Sequence, residues 1–274
     1  MNLQIEIEQI ISPVAVKEIT EPYYFILLLD GAASFTVDFT PYQCNGKNLL
    51  FLSPYQLLKW DSGIAPIVSM VKFHGDFYCI EYHKKEVACN GILFNNIYQQ
   101  PFVSVSDLVF EEISDIILKI QSLKNDVSTY DLPIIKSYLQ LILALSSKEK
   151  QVSLTQNSLE LLDEIGILDF QTLLEKHFRE EKSVSFYASY YGLSADSFSK
   201  KIKKHFRKPP LKLIQERMTL EAKKLLHLTF KPIKEIAIEL NFEDEFYFSR
   251  YFKKEVGVSP KKFREMVGIS IVAK

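Results

Sequence analysis

The sequence predicts an α+β chain of two domains: a β-rich N-terminal half followed by amphipathic helices, and an all-α C-terminal part. Three observations predict it. Over the first hundred positions apolar residues alternate or form short runs between turn residues, and from residue 105 onward they recur every three or four. Residues 1–150 carry 11 Lys/Arg against 17 Asp/Glu, whereas residues 167–274 carry 22 against 14. A nine-residue pattern beginning at Tyr187 recurs 49 positions later. With 274 residues the chain is long enough to bury two cores.

The β-rich part comes first. Leu3, Ile5 and Ile7 alternate with polar neighbours, as do Phe35, Val37 and Phe39. YYFILLL, NLLFLSP and IVSMVKF are short apolar runs, and Gly31, Pro41, Gly46, Pro54, Gly63, Pro66 and Gly75 punctuate them. Short strands at this spacing argue for a barrel or sandwich. Tyr23, Phe25 and Trp60, with Tyr24 and Tyr55 near them, suit the lining of a pocket in the barrel mouth. Aromatics in such places more often form a plain core, and nothing in this half marks a ligand class.

Between residues 105 and 147 the period becomes helical. Val109, Ile113, Ile116, Ile117, Ile120 and Leu123 form one stripe. Ile134, Ile135, Tyr138, Leu139, Ile142 and Leu145 form a second, with Pro133 at a helix start. Two amphipathic helices are expected, covering the sheet and offering part of their apolar surface to a second copy of the chain. The polar stretch SSKEKQVSLTQNS then reads as a linker. The resulting division is 1–147, a linker and lead-in over 148–165, and 166–270.

Bulk features exclude several classes. No apolar run approaches the roughly 20 residues of a membrane helix, and MNLQIEIEQI lacks the basic start and long apolar core of a secretion signal. A cytoplasmic protein without membrane contact is expected. The three cysteines, Cys44, Cys79 and Cys89, are too few for a disulfide framework. His74, Cys79, His83 and Cys89 fall within sixteen residues, but their spacings match no established metal pattern. A redox pair of Cys79 with Cys89 and a purely structural role stay open. No metal and no cofactor are expected.

The repeat carries the functional information. YASYYGLSA (187–195) aligns with IAIELNFED (236–244). After one inserted residue, SFSKKIKKHFRKPPLKL (197–213) aligns with YFSRYFKKEVGVSPKKF (247–263). Ala188 and Ala237 are small where two helices cross closely. Gly192 and Asn241 stand where the chain needs a left-handed residue to turn. A second helix then starts near Ser194 in one copy and Glu243 in the other. Phe198 and Ile202, then Phe248 and Phe252, face inward. This is helix-turn-helix grammar, written over 184–206 and again over 233–256. His177, on the apolar stripe that precedes the first copy, reads as a packing residue.

The outer faces of those second helices match as well. Asp196, Ser199, Lys200 and Lys203 share one face; Phe246, Ser249, Arg250 and Lys253 share the other. Such hydroxyls and cations can read base edges in a major groove, and an exposed Phe can pack on a thymine methyl. Lys204, Lys208, Lys254, Lys261 and Lys262 flank these faces and suit phosphates. Between the copies, Leu211, Ile214, Met218, Ala222 and Leu225 define a long connecting helix. The partner implied is double-stranded DNA.

These residues resemble a known family. From about Phe170 to Val267, and most closely over PIKEIAIELNFEDEFYFSRYFKKEVGVSPKKFR (232–264), the chain is similar to the AraC/XylS transcription regulators. The resemblance implies two helix-turn-helix units on a rigid linking helix. Two glycines usual in that family are replaced here, by Asn241 in the second turn and Arg207 at the end of the first reading helix. The N-terminal half resembles the cupin-like sensory domain of such regulators. That likeness implies a small-molecule effector in the barrel, a homodimer through the helices after it, and RNA polymerase as a further partner. A metal-dependent cupin enzyme would show an H-x-H pair, which this sequence lacks, so no catalysis is expected. The rival readings are a DNA binder without sequence preference whose N-terminal domain only dimerises, and a cupin enzyme with a DNA-binding tail.

Overall fold

The computed structural model describes residues 4–9, 18–38, 40–61, 66–78, 92–94, 97–124, 130–160 and 169–269. Two compact units emerge: Met1–Asn96 with Gln100–Gln156, and Ile97–Gln99 with Asn157–Lys274.

The first unit is built from nine strands and two helices among the described residues. Five strands form one antiparallel sheet in the order β1 (Ile5–Gln9), β8 (Ile67–Phe73), β3 (Tyr24–Asp30), β6 (Lys47–Leu52), β9 (Phe102–Ser104). Four more form a second sheet, β2 (Glu18–Ile19), β7 (Leu58–Trp60), β4 (Ala33–Val37), β5 (Thr40–Cys44). The strands expected from the sequence are present, but they form two separate sheets rather than a closed barrel among the described residues.

Side-chain alternation explains why β3 reads as an unbroken apolar run. Phe25, Leu27 and Leu29 join Phe35, Leu50, Leu58, Trp60 and Phe102 in a core shared by the two sheets. Tyr24, Ile26 and Leu28 point the other way and pack with Val71, Phe73 and Phe94. Helices α1 (Asp107–Lys124) and α2 (Asp131–Glu160) bury Ile113, Ile117, Ile120, Ile135, Leu139 and Ile142 in that second core. A strand covered on both faces has no reason to alternate with polar residues.

The expected linker is corrected in one respect. Helix α2 runs on to Glu160, through most of the polar stretch assigned to 148–165. The stretch has no Gly or Pro to stop a helix, and its Lys, Glu, Gln and Leu residues are good helix formers. Lys150 in it is buried, its ammonium donating to the carbonyls of Gln100 and Phe102.

The second unit is helical: α3 (Asp169–His177), α4 (Val184–Tyr190), α5 (Ala195–Phe206), α6 (Pro210–Leu228), α7 (Ile233–Glu239), α8 (Glu245–Val256) and α9 (Pro260–Val267). Phe170, Tyr187, Phe198, Phe248, Phe252 and Phe263 are its largest fully buried side chains.

Candidate nucleic-acid interface

Helices α4 and α5 form one helix-turn-helix and α7 and α8 the other. Their turns are built alike. Ala188 and Ala237 are buried. Gly192 (φ +62°) and Asn241 (φ +53°) both adopt the left-handed conformation. The backbone N–H of Leu193 donates to the Ala188 carbonyl, and that of Phe242 to the Ala237 carbonyl, at 3.0 and 2.9 Å. The Gly192 and Asn241 amides donate to Ser189 and Ile238 in the same way, each at 3.0 Å.

The second helix of each pair then starts on a side-chain cap. Ser194 accepts from the Ser197 amide and begins α5. Asp244, not the expected Glu243, accepts from the Tyr247 amide at 2.6 Å and begins α8. The shorter Asp carboxylate reaches the third helical amide, as cap residues do. At the far ends Gly257 sits at φ +87° and Arg207, its counterpart, at φ +58°. The helix end survives the missing glycine by putting an arginine in the left-handed region.

The inner faces bury Phe198 and Ile202 on α5, and Phe248, Phe252 and Val256 on α8. The outer faces collect the residues named from the sequence. Asp196, Lys200 and Lys203 are exposed on α5, and Phe246, Arg250 and Lys253 on α8; Ser199 and Ser249 are half-buried in matching positions. Phe246 is 75% exposed, a large aromatic ring presented to solvent on the outer face. Lys200, Lys203 and Lys253 have no ion-pair partner among the described residues. Helix α6, 19 residues and about 28 Å long, joins the two copies.

The flanking lysines divide. Lys204, Lys254, Lys261 and Lys262 are exposed. Lys208 is not: only 8% of it is accessible, and its ammonium donates to Glu216 at 2.8 Å and to the Ile97 carbonyl at 3.2 Å. Its assignment to phosphate is therefore corrected. The cation is already desolvated and paired, so leaving for a phosphate would cost a buried ion pair.

The scaffold is held by charges that the sequence did not single out. Arg217 of α6 donates from Nε to both oxygens of Glu175 at 2.8 Å, and from a terminal nitrogen to Glu221 at 3.0 Å. Arg179 reaches the other Glu221 oxygen at 2.7 Å. Burial alone would raise the pKa of Glu221, but the two guanidiniums hold it below the usual carboxylate value. Lys182 is a further missed residue. Its position aligns with Lys231 in the repeat, which is the signal that marks it.

The pocket residues lie partly together. Phe25 and Trp60 are buried in the core between the sheets, and Tyr23 packs against its edge. Tyr24 faces the helices, and Tyr55 is buried at φ +59°. The Trp60 indole N–H is buried with no acceptor among the described residues. His74 lies 3.2 Å from Asp76 and edge-on to Tyr23. Cys79, His83 and Cys89 lie outside the described residues. No group of metal-ligating side chains occurs among the described residues, and no helix there is long and apolar enough to cross a membrane.

In comparison with known proteins, residues 187–266 match a family described as a helix-turn-helix domain. The transcriptional activator RhaS of Enterobacter sp. (strain 638) is 30% identical over 92 residues, 34% of this chain and 33% of that protein. The transcriptional regulator ExsA of Pseudomonas aeruginosa is 26% identical over 124 residues, 45% of each chain. The chain thus matches between a third and a half of the length of these relatives. Among solved structures, ToxT from Vibrio cholerae is similar over 97% of this chain and 99% of its own, at 15% identity and a TM-score of 0.41.

Proposed function

We propose, from the premise that the C-terminal unit is a helix-turn-helix domain of the AraC/XylS type, that the chain is a sequence-specific DNA-binding transcription regulator. One observation carries the reading. Two reading helices, in repeats with the same turn, present corresponding faces that no other part of the described unit covers. A solvated basic face needs no matched hydroxyls and no exposed Phe246. A base-reading face uses both.

The role assignments follow. Asp196, Ser199, Lys200, Lys203, Phe246, Ser249, Arg250 and Lys253 face the bases. Lys204, Lys254, Lys261 and Lys262 face phosphates. The chain acts on transcription in the cytoplasm, with RNA polymerase as a partner, and performs no catalysis. It dimerises through α2, where Ile134, Leu141 and Val152 are exposed along one side of the helix. A small effector enters the first unit beside Tyr23, Phe25 and Trp60, where the indole N–H, without an acceptor among the described residues, offers a donor.

The experiment is selection of duplexes from a random pool by the full-length protein, followed by competition with random DNA. One enriched sequence that resists competitor is expected. If the pool stays random and competitor strips the protein equally from every duplex, the chain is a non-specific binder and the regulator reading fails.

A further inference from the structure

The two copies differ at one lysine pair, and the difference has a structural consequence. Lys182 and Lys231 occupy equivalent positions, each just before the first helix of its copy. Lys231 pairs inside its own copy with Glu239, eight residues on. The counterpart of Glu239 in the first copy is Tyr190, which is 66% exposed and carries no charge. Lys182 therefore finds no carboxylate in its own copy at that place. It turns instead to the second copy, where its ammonium donates to the Asn241 carbonyl and lies 3.9 Å from the centre of the Phe242 ring.

Both ends of this bridge are anchored. The backbone under Lys182 is pinned by the Tyr187 hydroxyl, which donates to the Glu181 carbonyl at 2.9 Å. Glu180 and Glu181 donate their amides to His177, and Ser183 caps α4. On the other side, Asn241 is the left-handed residue of the second turn. The Phe242 ring packs against Tyr247, Phe248 and Tyr251, all on reading helix α8. A cation over a ring and a charge-assisted bond to a carbonyl both strengthen as water is excluded.

We propose that Lys182 is a positioning residue that sets the angle between the two reading helices by bridging the first helix-turn-helix to the turn of the second. Helix α6 fixes their separation along its axis. A contact away from that axis closes a ring through α6 and both copies, so neither reader rotates without breaking it. The inference rests on the reading of α5 and α8 as DNA readers, and its consequence is selectivity for the spacing of two half-sites.

Two variants test it without disturbing the core. Lys182→Met keeps the apolar stem and removes the donor. Tyr190→Glu, at an exposed site, supplies the carboxylate that the first copy lacks and recaptures Lys182. Lys182→Arg keeps the cation and serves as the rescue. In the full chain, with its three cysteines replaced and spin labels placed at positions 200 and 250, the wild-type background should give a narrow distance distribution. Lys182→Met and Tyr190→Glu should broaden it, and Lys182→Arg should not. On the duplex that the wild-type protein selects, one inserted base pair between half-sites should weaken wild-type binding about tenfold, and each loosening variant by about threefold or less.

Unchanged distance distributions in both variants overturn the proposal. It is also overturned if Lys182→Met weakens both duplexes equally while the salt slope falls by about one, since that marks a direct phosphate contact. A wild-type protein that selects no duplex sinks the regulator reading instead, and the distance distributions still judge the bridge.

Discussion

The Tyr251 hydroxyl of α8 donates to the Gln215 carbonyl of α6 at 2.9 Å, and the Thr219 hydroxyl of α6 lies 3.3 Å from the Tyr251 hydroxyl oxygen. Burial pushes the Tyr251 phenol pKa up, so the group keeps its proton and remains a donor well above neutrality. Together with Lys212, which pairs with Glu255 at 3.3 Å, it docks the second reading helix on the connecting helix. Tyr251→Phe deletes one oxygen and leaves the ring in place. It should lower unfolding stability by about 1 kcal/mol, read as a drop of a few degrees in Tm. An unchanged Tm would mean that apolar packing alone seats α8.

Arg207 invites the opposite change. It holds φ +58° where the second copy has Gly257 at φ +87°. A non-glycine residue in that region costs roughly 1 kcal/mol. Arg207→Gly should therefore raise stability by about 0.5 kcal/mol once the greater freedom of the unfolded glycine chain is set against the relieved strain. The exposed guanidinium is lost at the same time, so binding to any duplex should weaken modestly and without sequence dependence. Paired unfolding and salt-titration measurements separate the two effects.

How much was legible in the sequence follows from these residues. The repeat showed because each part is a local demand: a small Ala at a crossing, a left-handed Gly or Asn at a turn, two inward apolar side chains four apart. The strands showed because turn residues bound them. The far end of α2 did not show, because a polar helix without periodicity has the composition of a linker. Lys208 was illegible for another reason. Its burial depends on the Ile97 carbonyl, 111 residues away, which no local pattern encodes. Asp244 and Glu243 are adjacent acids, and only cap geometry separates them. Lys182 lay between these extremes, visible as a repeat partner of Lys231 but not as a bridge.

Lys150 gives the first unit a pH dependence. Burial pushes its ammonium down to about 8, and its hydrogen bonds go to two neutral carbonyls. Its folded pKa is lower than its unfolded one, so between about 8 and 10.5 the unfolded chain binds the extra proton. Stability from this group therefore rises as pH increases through that window and is lowest below it. Urea unfolding at pH 7 and pH 9.5 should show the wild-type protein gaining on Lys150→Met, by about 1–2 kcal/mol. A difference between the two proteins that stays constant with pH would show that the lysine is better solvated than its burial implies.

The reading faces make the sharpest demand on function. Arg250 and Lys200 stand at matching places on α8 and α5, exposed, with no carboxylate partner among the described residues. Lys261 and Lys262 lie at the start of α9, outside both faces. A base contact and a phosphate contact leave different signatures when removed. Arg250→Ala or Lys200→Ala should cost about 1–3 kcal/mol on the selected duplex and relax preference at one or two positions. Lys262→Ala should weaken all duplexes alike and reduce the salt slope by about one. The outer faces are unequal: lysine-rich behind Asp196 in the first copy, Phe246 and Arg250 in the second. Footprints should accordingly show stronger sequence dependence under α5 and a more constant half-site under α8. If the two half-sites depend equally on sequence, the division of labour between the copies is wrong. If neither Arg250→Ala nor Lys200→Ala changes base preference at matched salt, the faces assigned to the bases are wrong as well.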